Sequence, residues 1–224
     1  MVPLKSPDGI ALETVTSRHE LVSCEMKEAC PEQRALKTSL RAQALAARDA
    51  LDPITRIEAS LAIAEQAGRA LLVEAGTIIS GFLPIRSEVD IRPLMSALRE
   101  KGARLCLPAM INRHTIVFRD FQRGADLVDT GFGTLGPDGT AALLEPDMML
   151  MPLAGFDAQG NRLGYGAGHY DRAIAGLRAA GKTPFLIGIG FDCQQCDDIP
   201  VENHDLPLHA ILTESGLRFF TRGV

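Results

Sequence analysis

The residues best suited to chemistry lie at 160–172, GNRLGYGAGHYDR, between an apolar β-rich run and a helical one. Gly164, Gly166 and Gly168 alternate with Tyr165 and Ala167, so the backbone can take positive φ and approach a ligand closely. The N–H groups of such a loop converge with the first turn of the following helix on one spot, which attracts anions, phosphate above all. The competing reading, a flexible loop with a glycine cap, fits three alternating glycines at a strand-to-helix junction less well. No Gly-Lys-Ser/Thr follows, so the segment is not a Walker A loop, and the glycine spacing is not the dinucleotide fingerprint. Asp171 sits in the first turn of the helix. It either complements the helix dipole, worth about 0.3–1 kcal/mol, or offers a carboxylate to Mg²⁺, a hard cation that takes oxygen ligands; these residues alone leave both open.

A loop of this kind needs a strand before it and a helix after it, and the pattern supplies both. Apolar strands are expected at 77–84, 103–108, 115–121, from 147 to 156, at 185–191 and at 209–214, with LRFFT closing the chain. Helices are expected from 31, where Leu36, Leu40 and Leu45 fall near helical spacing, and from Asp52-Pro53, an N-cap followed by proline at the first helical position. The second helix would face the core with Ile54, Ile57, Leu61, Ala64 and Leu71. A third spans 93–101 and ends at Gly102, and a fourth runs from the glycine loop to about 180. Residues 124–138, rich in Gly and Asp, read as a long loop. Apolar strands alternating with helices predict an α/β fold: a mainly parallel sheet with helices on both faces, in one three-layer domain over 31–224. Residues 1–30 lack a sustained period and read as a flexible extension.

The chain has 224 residues, 46% hydrophobic and 23% charged, which suffices for a full core without disulfides or a structural metal. Lys and Arg number 23 against 28 Asp and Glu, a net charge of −5. This excludes a protein that holds nucleic acid by bulk charge. No apolar run approaches a membrane span, and the N-terminus lacks a signal-peptide core, so a cytoplasmic protein is expected. Five cysteines fit free thiols in a reducing compartment. Cys193-Gln-Gln-Cys196 suggests zinc or redox chemistry, but there is no second cysteine pair; His204 and His209 are the only nearby histidines to complete a site. Incidental thiols are the better reading. His114, alone before a strand, reads as a surface residue.

The segment GFDAQGNRLGYGAGHYDR resembles the signature of the 5-formyltetrahydrofolate cyclo-ligase (methenyltetrahydrofolate synthetase) family. Three further stretches agree in order and place: KTSLRAQALAARDAL with Lys37-x-x-x-Arg41, GFLPIRSEVDIRPL, and IPVENHDLPLHAILTE. Together they cover about residues 34–214. The resemblance implies that Lys37 and Arg41 contact ATP phosphates, with Arg41 also near the folate. Four apart, they share one helix face; the bland alternative is a solvated face. It implies that Leu83 and Glu88 line the folate site. Arg162, Leu163, Gly164, Tyr165, Gly166, Ala167, Gly168, His169 and Tyr170 would wrap the nucleotide, with Tyr165 to His169 also touching folate. Asp171 and Asp205 would hold Mg²⁺.

The sequence departs from the family pattern at His169, the first of two usual aromatic positions, at Ala167, where some members carry a basic residue, and at Ile91, where Thr is common. The implied reaction converts 5-formyltetrahydrofolate to 5,10-methenyltetrahydrofolate with ATP. The formyl oxygen attacks the γ-phosphate, N10 adds to the activated carbon, and phosphate leaves. No protein nucleophile is needed; the expected partners are the small-molecule substrates 5-formyltetrahydrofolate and ATP, with no nucleic acid or membrane, and a monomer is expected. A non-catalytic folate or nucleotide binder and a sugar-phosphate isomerase-like enzyme are the rival readings.

Overall fold

The structure, a computed structural model, describes residues 31–131, 134–202 and 205–220. The expected extension over 1–30 lies outside them. The chain opens with α1 (Pro31–Asp49) and α2 (Pro53–Ala70), followed by β1 (Ile78–Ser80), α3 (Arg92–Glu100), and an antiparallel pair β2 (Arg104–Asn112) and β3 (Thr115–Asp120). A hairpin of β4 (Leu127–Gly131) and β5 (Thr134–Pro137) leads to β6 (Met148–Pro152). The short pair β7 (Gly155–Phe156) and β8 (Arg162–Leu163) precedes α4 (His169–Ala179), β9 (Phe185–Ile189), β10 (Ala210–Thr213) and β11 (Gly216–Phe219).

Seven strands form one sheet in the order β11-β10-β9-β6-β1-β2-β3. The five inner strands are parallel, and β3 and β11 close the edges antiparallel. Side chains alternate with period two, as a sheet covered on both faces requires. Ile79, Leu105, Leu150, Ile187 and Leu212 face α2 and α3. Cys106, Met149, Met151, Leu186 and Ile211 face α4. The expected three-layer α/β domain is therefore present. Helix α1 packs on neither broad face. Leu40 and Leu45 sit on a small cluster of Ala154, Leu163 and Ile199 beside β7 and β8.

Asp52 caps α2 as its sequence suggested, accepting the Ile54 and Thr55 N–H groups at 3.0 and 3.1 Å. The buried face of that helix differs from expectation. Ile54, Ile57 and Leu61 are exposed, while Ala59, Ser60, Ile63 and Ala67 are buried. Small residues let α2 lie close to α3, and Ser60 Oγ accepts the Asp90 N–H at 3.1 Å; close approach outweighs the larger side chains at this contact. The expected loop over 124–138 is also corrected. Leu127 pairs with Pro137 and Val128 with Gly136, a backbone ladder that the Gly and Asp content of the segment obscures.

Gly188, on the α4 face of β9, has no room for a side chain. A Cβ there would lie 2.6 Å from Leu208 Cδ1 and 2.7 Å from Leu153 Cδ2. Gly188→Ala is expected to cost about 1–3 kcal/mol through overpacking. A lower urea midpoint at unchanged slope is the readout; an unchanged midpoint would show that the two leucines repack freely.

Candidate active site

The order of the parallel strands reverses at β1, which connects to β2 on one side while β6 and β9 follow on the other. Ligands in open α/β sheets collect at such a point, outside the carboxyl ends of the strands. Two adjoining pockets lie there. One is largely apolar, walled by Phe82, Leu83, Pro108, Met110, Pro152 and Leu135, with Glu88 and Tyr165 among its polar groups. The other is polar and collects Lys37 and Arg41 from α1, Arg162 from β8, the loop glycines, Asp171, Glu202 and Asp205. Arg162, Gly164, Gly168 and Asp171 line both, so the glycine loop and its flanks are the common wall.

Several contacts shape that wall. Asp157, fully buried, accepts the Gln159 and Asn161 N–H groups at 2.9 Å each and the Ile199 N–H at 3.1 Å. It thereby ties the turn before β8 to the segment carrying Glu202 and Asp205. Arg41 Nε donates to the Gly164 carbonyl at 2.6 Å. Gly166 and Gly168 have φ of 95° and 64°, a conformation that glycine takes at no steric cost. Arg172 crosses the loop, donating to the Ala167 carbonyl at 2.7 Å and to the His114 carbonyl at 2.8 Å.

All the charges named in the polar pocket except Arg41 are paired with one another. Lys37 Nζ lies 2.6 Å from both Glu202 and Asp205. Burial pulls the Lys37 ammonium down, but the hydrogen bonds and charges of Asp205 and Glu202 outweigh it and raise its pKa. Arg162, 7% exposed, pairs with Asp171 and donates to the Leu206 carbonyl. In the apolar pocket, burial pushes the Glu88 carboxyl up, opposed by the Tyr165 hydroxyl, the Ile85 N–H and the charge of Arg48.

The structure brings all the expected site residues to these two pockets, sorted more finely than the motif suggested. Lys37, Arg41 and Asp205 stand in the polar pocket, and Leu83 and Glu88 in the apolar one. Tyr165, Ala167, His169 and Tyr170 line the apolar side, and Gly166 the polar side. Leu163 lines the polar pocket but its side chain is buried in the small core under α1. His169 Nε2 is 3.0 Å from the Arg113 carbonyl, so the ring rests on the β2–β3 turn. Sequence reasoning missed Glu202, which lines the polar pocket, and Arg48 and Ser87, which line neither pocket but bond to each other, with Arg48 also bonded to Tyr165. Arg48 was findable: with Lys37 and Arg41 it repeats at helical spacing on one face of α1.

Cys193 and Cys196 flank Gln194, which is buried and donates to the Leu153 and Ala154 carbonyls at 3.0 and 2.9 Å. That amide explains the turn structurally. His209 Nδ1 accepts the Leu186 N–H at 2.8 Å and its ring stacks on Phe185 at 4.7 Å. His204 lies outside the described residues. Among the described residues no group of three or more His, Cys, Asp or Glu side chains gathers to hold a metal, and no helix is long and apolar enough to cross a membrane.

A glycine-rich loop shared by a polar and an apolar pocket at a sheet's switch point places the chain among α/β proteins with a ligand site at the carboxyl ends of the strands. Residues 33–214 match the family model for the 5-formyltetrahydrofolate cyclo-ligase family, and the chain belongs to that family. It is 31% identical over 143 residues to a 5-formyltetrahydrofolate cyclo-ligase of Escherichia coli K12, covering 61% of this chain and 78% of that protein. Against the enzyme of that name from Mycolicibacterium smegmatis it is 33% identical over 147 residues, covering 62% and 74%. Among solved structures, a 5,10-methenyltetrahydrofolate synthetase from Aquifex aeolicus superposes with a TM-score of 0.70 at 25% identity, covering 84% of this chain and 95% of that one. The synthetase from Mycoplasma pneumoniae superposes with a TM-score of 0.64 at 27% identity, covering 80% and 98%. Membership decides for a ligase of folate one-carbon metabolism and against a sugar-phosphate isomerase.

Proposed function

We propose that the polar pocket holds the phosphates of ATP and the apolar pocket the pterin of 5-formyltetrahydrofolate, with the formyl oxygen meeting the γ-phosphate at the glycine loop. The activity is the family's: ATP-dependent closure of 5-formyltetrahydrofolate to 5,10-methenyltetrahydrofolate. The observation that carries the site reading is the common wall. Arg162, Gly164, Gly168 and Asp171 touch both pockets, so a group transferred between the two ligands passes over the loop N–H groups.

The chemistry follows from the leaving group. The N5-formyl is an amide, and closing it onto N10 requires loss of its oxygen, which leaves poorly as oxide. In-line attack of that oxygen on the γ-phosphate breaks the bond to ADP and yields a phosphorylated iminium. N10 then bonds to the formyl carbon and releases its proton to solvent, and the C–O bond breaks as the oxygen departs with inorganic phosphate. The protein's part is orientation, worth roughly 7–11 kcal/mol, and compensation of phosphoryl charge. Lys37, Arg41 and Arg162 supply positive charge on the phosphate side. Glu88 accepts hydrogen bonds from pterin N–H groups on the other.

Asp171 and Asp205 are suitable donors for Mg²⁺, which takes one or two carboxylates together with phosphate oxygens and water. Each is held by a cation, Asp171 by Arg162 and Asp205 by Lys37. Binding of the nucleotide would exchange partners, with the cations turning to phosphate and the carboxylates to the metal. The metal would neutralise charge on the phosphoryl group in flight. On this reading the enzyme works as a cytoplasmic monomer.

Purified protein given 5-formyltetrahydrofolate with heavy oxygen in the formyl group should deliver one labelled atom to inorganic phosphate per turnover, and only with ATP present. Label found in water instead would exclude the phosphorylated intermediate. No ATP-dependent conversion at all would return the chain to a folate or nucleotide binder.

A further inference from the structure

Arg48 is a cation at 3% exposure that lines neither pocket. A guanidinium in such a place is costly unless it is paired and hydrogen-bonded; Asp49 lies 3.8 Å from its Nε, and one of its two hydrogen bonds leads to the apolar pocket. Nε donates to Ser87 Oγ at 3.0 Å and Nη1 donates to the Tyr165 hydroxyl oxygen at 2.7 Å. Ser87 Oγ in turn donates to Asp49. The Tyr165 hydroxyl donates to Glu88 Oε1, and Glu88 Oε2 accepts the Ile85 N–H at 2.9 Å.

The direction of this chain is fixed by its first member. Arginine has five donors and no acceptor. The Tyr165 oxygen must therefore accept from Arg48, which leaves its single O–H for Glu88. Glu88 Oε1 is then an acceptor, and Oε2 already accepts a backbone N–H. Both oxygens keep further lone pairs for donors arriving from the pocket. Without Arg48, the Tyr165 hydroxyl can rotate, and the half-buried Glu88 loses a nearby positive charge that opposes the effect of burial.

We infer that Arg48 is a positioning residue for the folate pocket: it fixes the Tyr165 hydroxyl and, through it, holds Glu88 in orientation as a hydrogen-bond acceptor. The inference rests on the assignment of folate to the apolar pocket. The alternative is that Arg48 merely fastens α1 to the 85–88 turn. The two differ in what they disturb, because α1 also carries Lys37 and Arg41 into the polar pocket. A loosened helix harms both ligands; a misdirected Tyr165–Glu88 pair harms folate alone.

The test is steady-state kinetics of the full chain, with each substrate varied in turn, for Arg48→Met, Arg48→Lys, Tyr165→Phe and the double variant Arg48→Met/Tyr165→Phe. Arg48→Met should raise the KM for folate roughly tenfold or more, the effect of losing a hydrogen bond in a charged network, with the KM for MgATP unchanged. The double variant should be no worse than the more impaired single variant, since both act through one hydrogen-bond chain. Arg48→Lys should recover part of the folate KM by keeping a charged donor. Equal rises in both KM values, or losses that add in the double variant, would overturn the role. If Arg48→Met does not fold, Arg48→Lys carries the same comparison of the two KM values. Glu88→Gln separates the layers: an unchanged folate KM there removes the pocket assignment and this inference with it. A raised folate KM in Glu88→Gln with an unaffected Arg48→Met removes only the role of Arg48.

Discussion

Asp171→Asn should lower kcat by about a hundredfold or more, on the scale seen when one preorganised electrostatic contact to a transition state is lost, while folate binding stays near the parent value. The substitution keeps shape and removes charge at the wall between the two pockets. The carboxylate has a second task. It pairs with Arg162, whose side chain is 7% exposed against 27% for Asp171. Removing the charge leaves a buried guanidinium with the Leu206 carbonyl and a neutral amide. A stability loss of about 1–3 kcal/mol is expected as well, more than a helix-dipole carboxylate at the surface would contribute. Turnover at saturating substrates, a Mg²⁺ titration and a thermal melt separate the two effects. Full activity at a lowered melting temperature would make Asp171 a structural partner of Arg162 and nothing more.

Lys37→Met should raise the requirement for ATP by roughly ten- to a hundredfold, the equivalent of a charge-assisted hydrogen bond worth about 1.5–3 kcal/mol. The folate pocket, which Lys37 does not line, should keep its affinity. Without nucleotide the ammonium sits 2.6 Å from Glu202 and from Asp205. Losing it brings two carboxylates together without the cation between them, so the variant should also unfold at lower temperature. The sign with pH follows from the raised pKa of Lys37. Its contribution is complete below the ordinary lysine value and is lost only as pH rises through the raised one. The stability difference between parent and variant should therefore persist across neutral pH and close in strong alkali. Binding of a non-hydrolysable ATP analogue is the direct measurement. An unchanged affinity would show that Lys37 only fastens α1 to the 199–205 segment.

Much of the fold was legible because it is local. The Asp52-Pro53 cap, the stop at Gly102 (φ 94°) and the alternating strands depend on neighbours within a few residues, and the structure repeats them. The glycine loop was legible for the same reason, since only glycine takes its positive φ freely. The buried face of α2 was not. Ile54, Ile57 and Leu61 are the more hydrophobic choice, but Ala59 and Ala67 allow the closer approach to α3, and that choice depends on a partner 30 residues away.

The site divides in the same way. The loop glycines, with their spacing at a strand-to-helix junction, already indicated phosphate chemistry and left Asp171 open, while Lys37 and Arg41 came from family resemblance. Family resemblance added Leu83, Glu88 and Asp205. Tertiary structure alone decided that Arg162 and Asp171 stand on a wall between two pockets, that Tyr165 and Tyr170 face the apolar side, and that Arg48 is buried behind Tyr165. Hydrogen bonds such as Arg48 to Tyr165, 117 residues apart, leave no periodic trace in a single chain. They exist because the folded sheet brings α1, the 85–88 turn and the glycine loop to the same end of its strands.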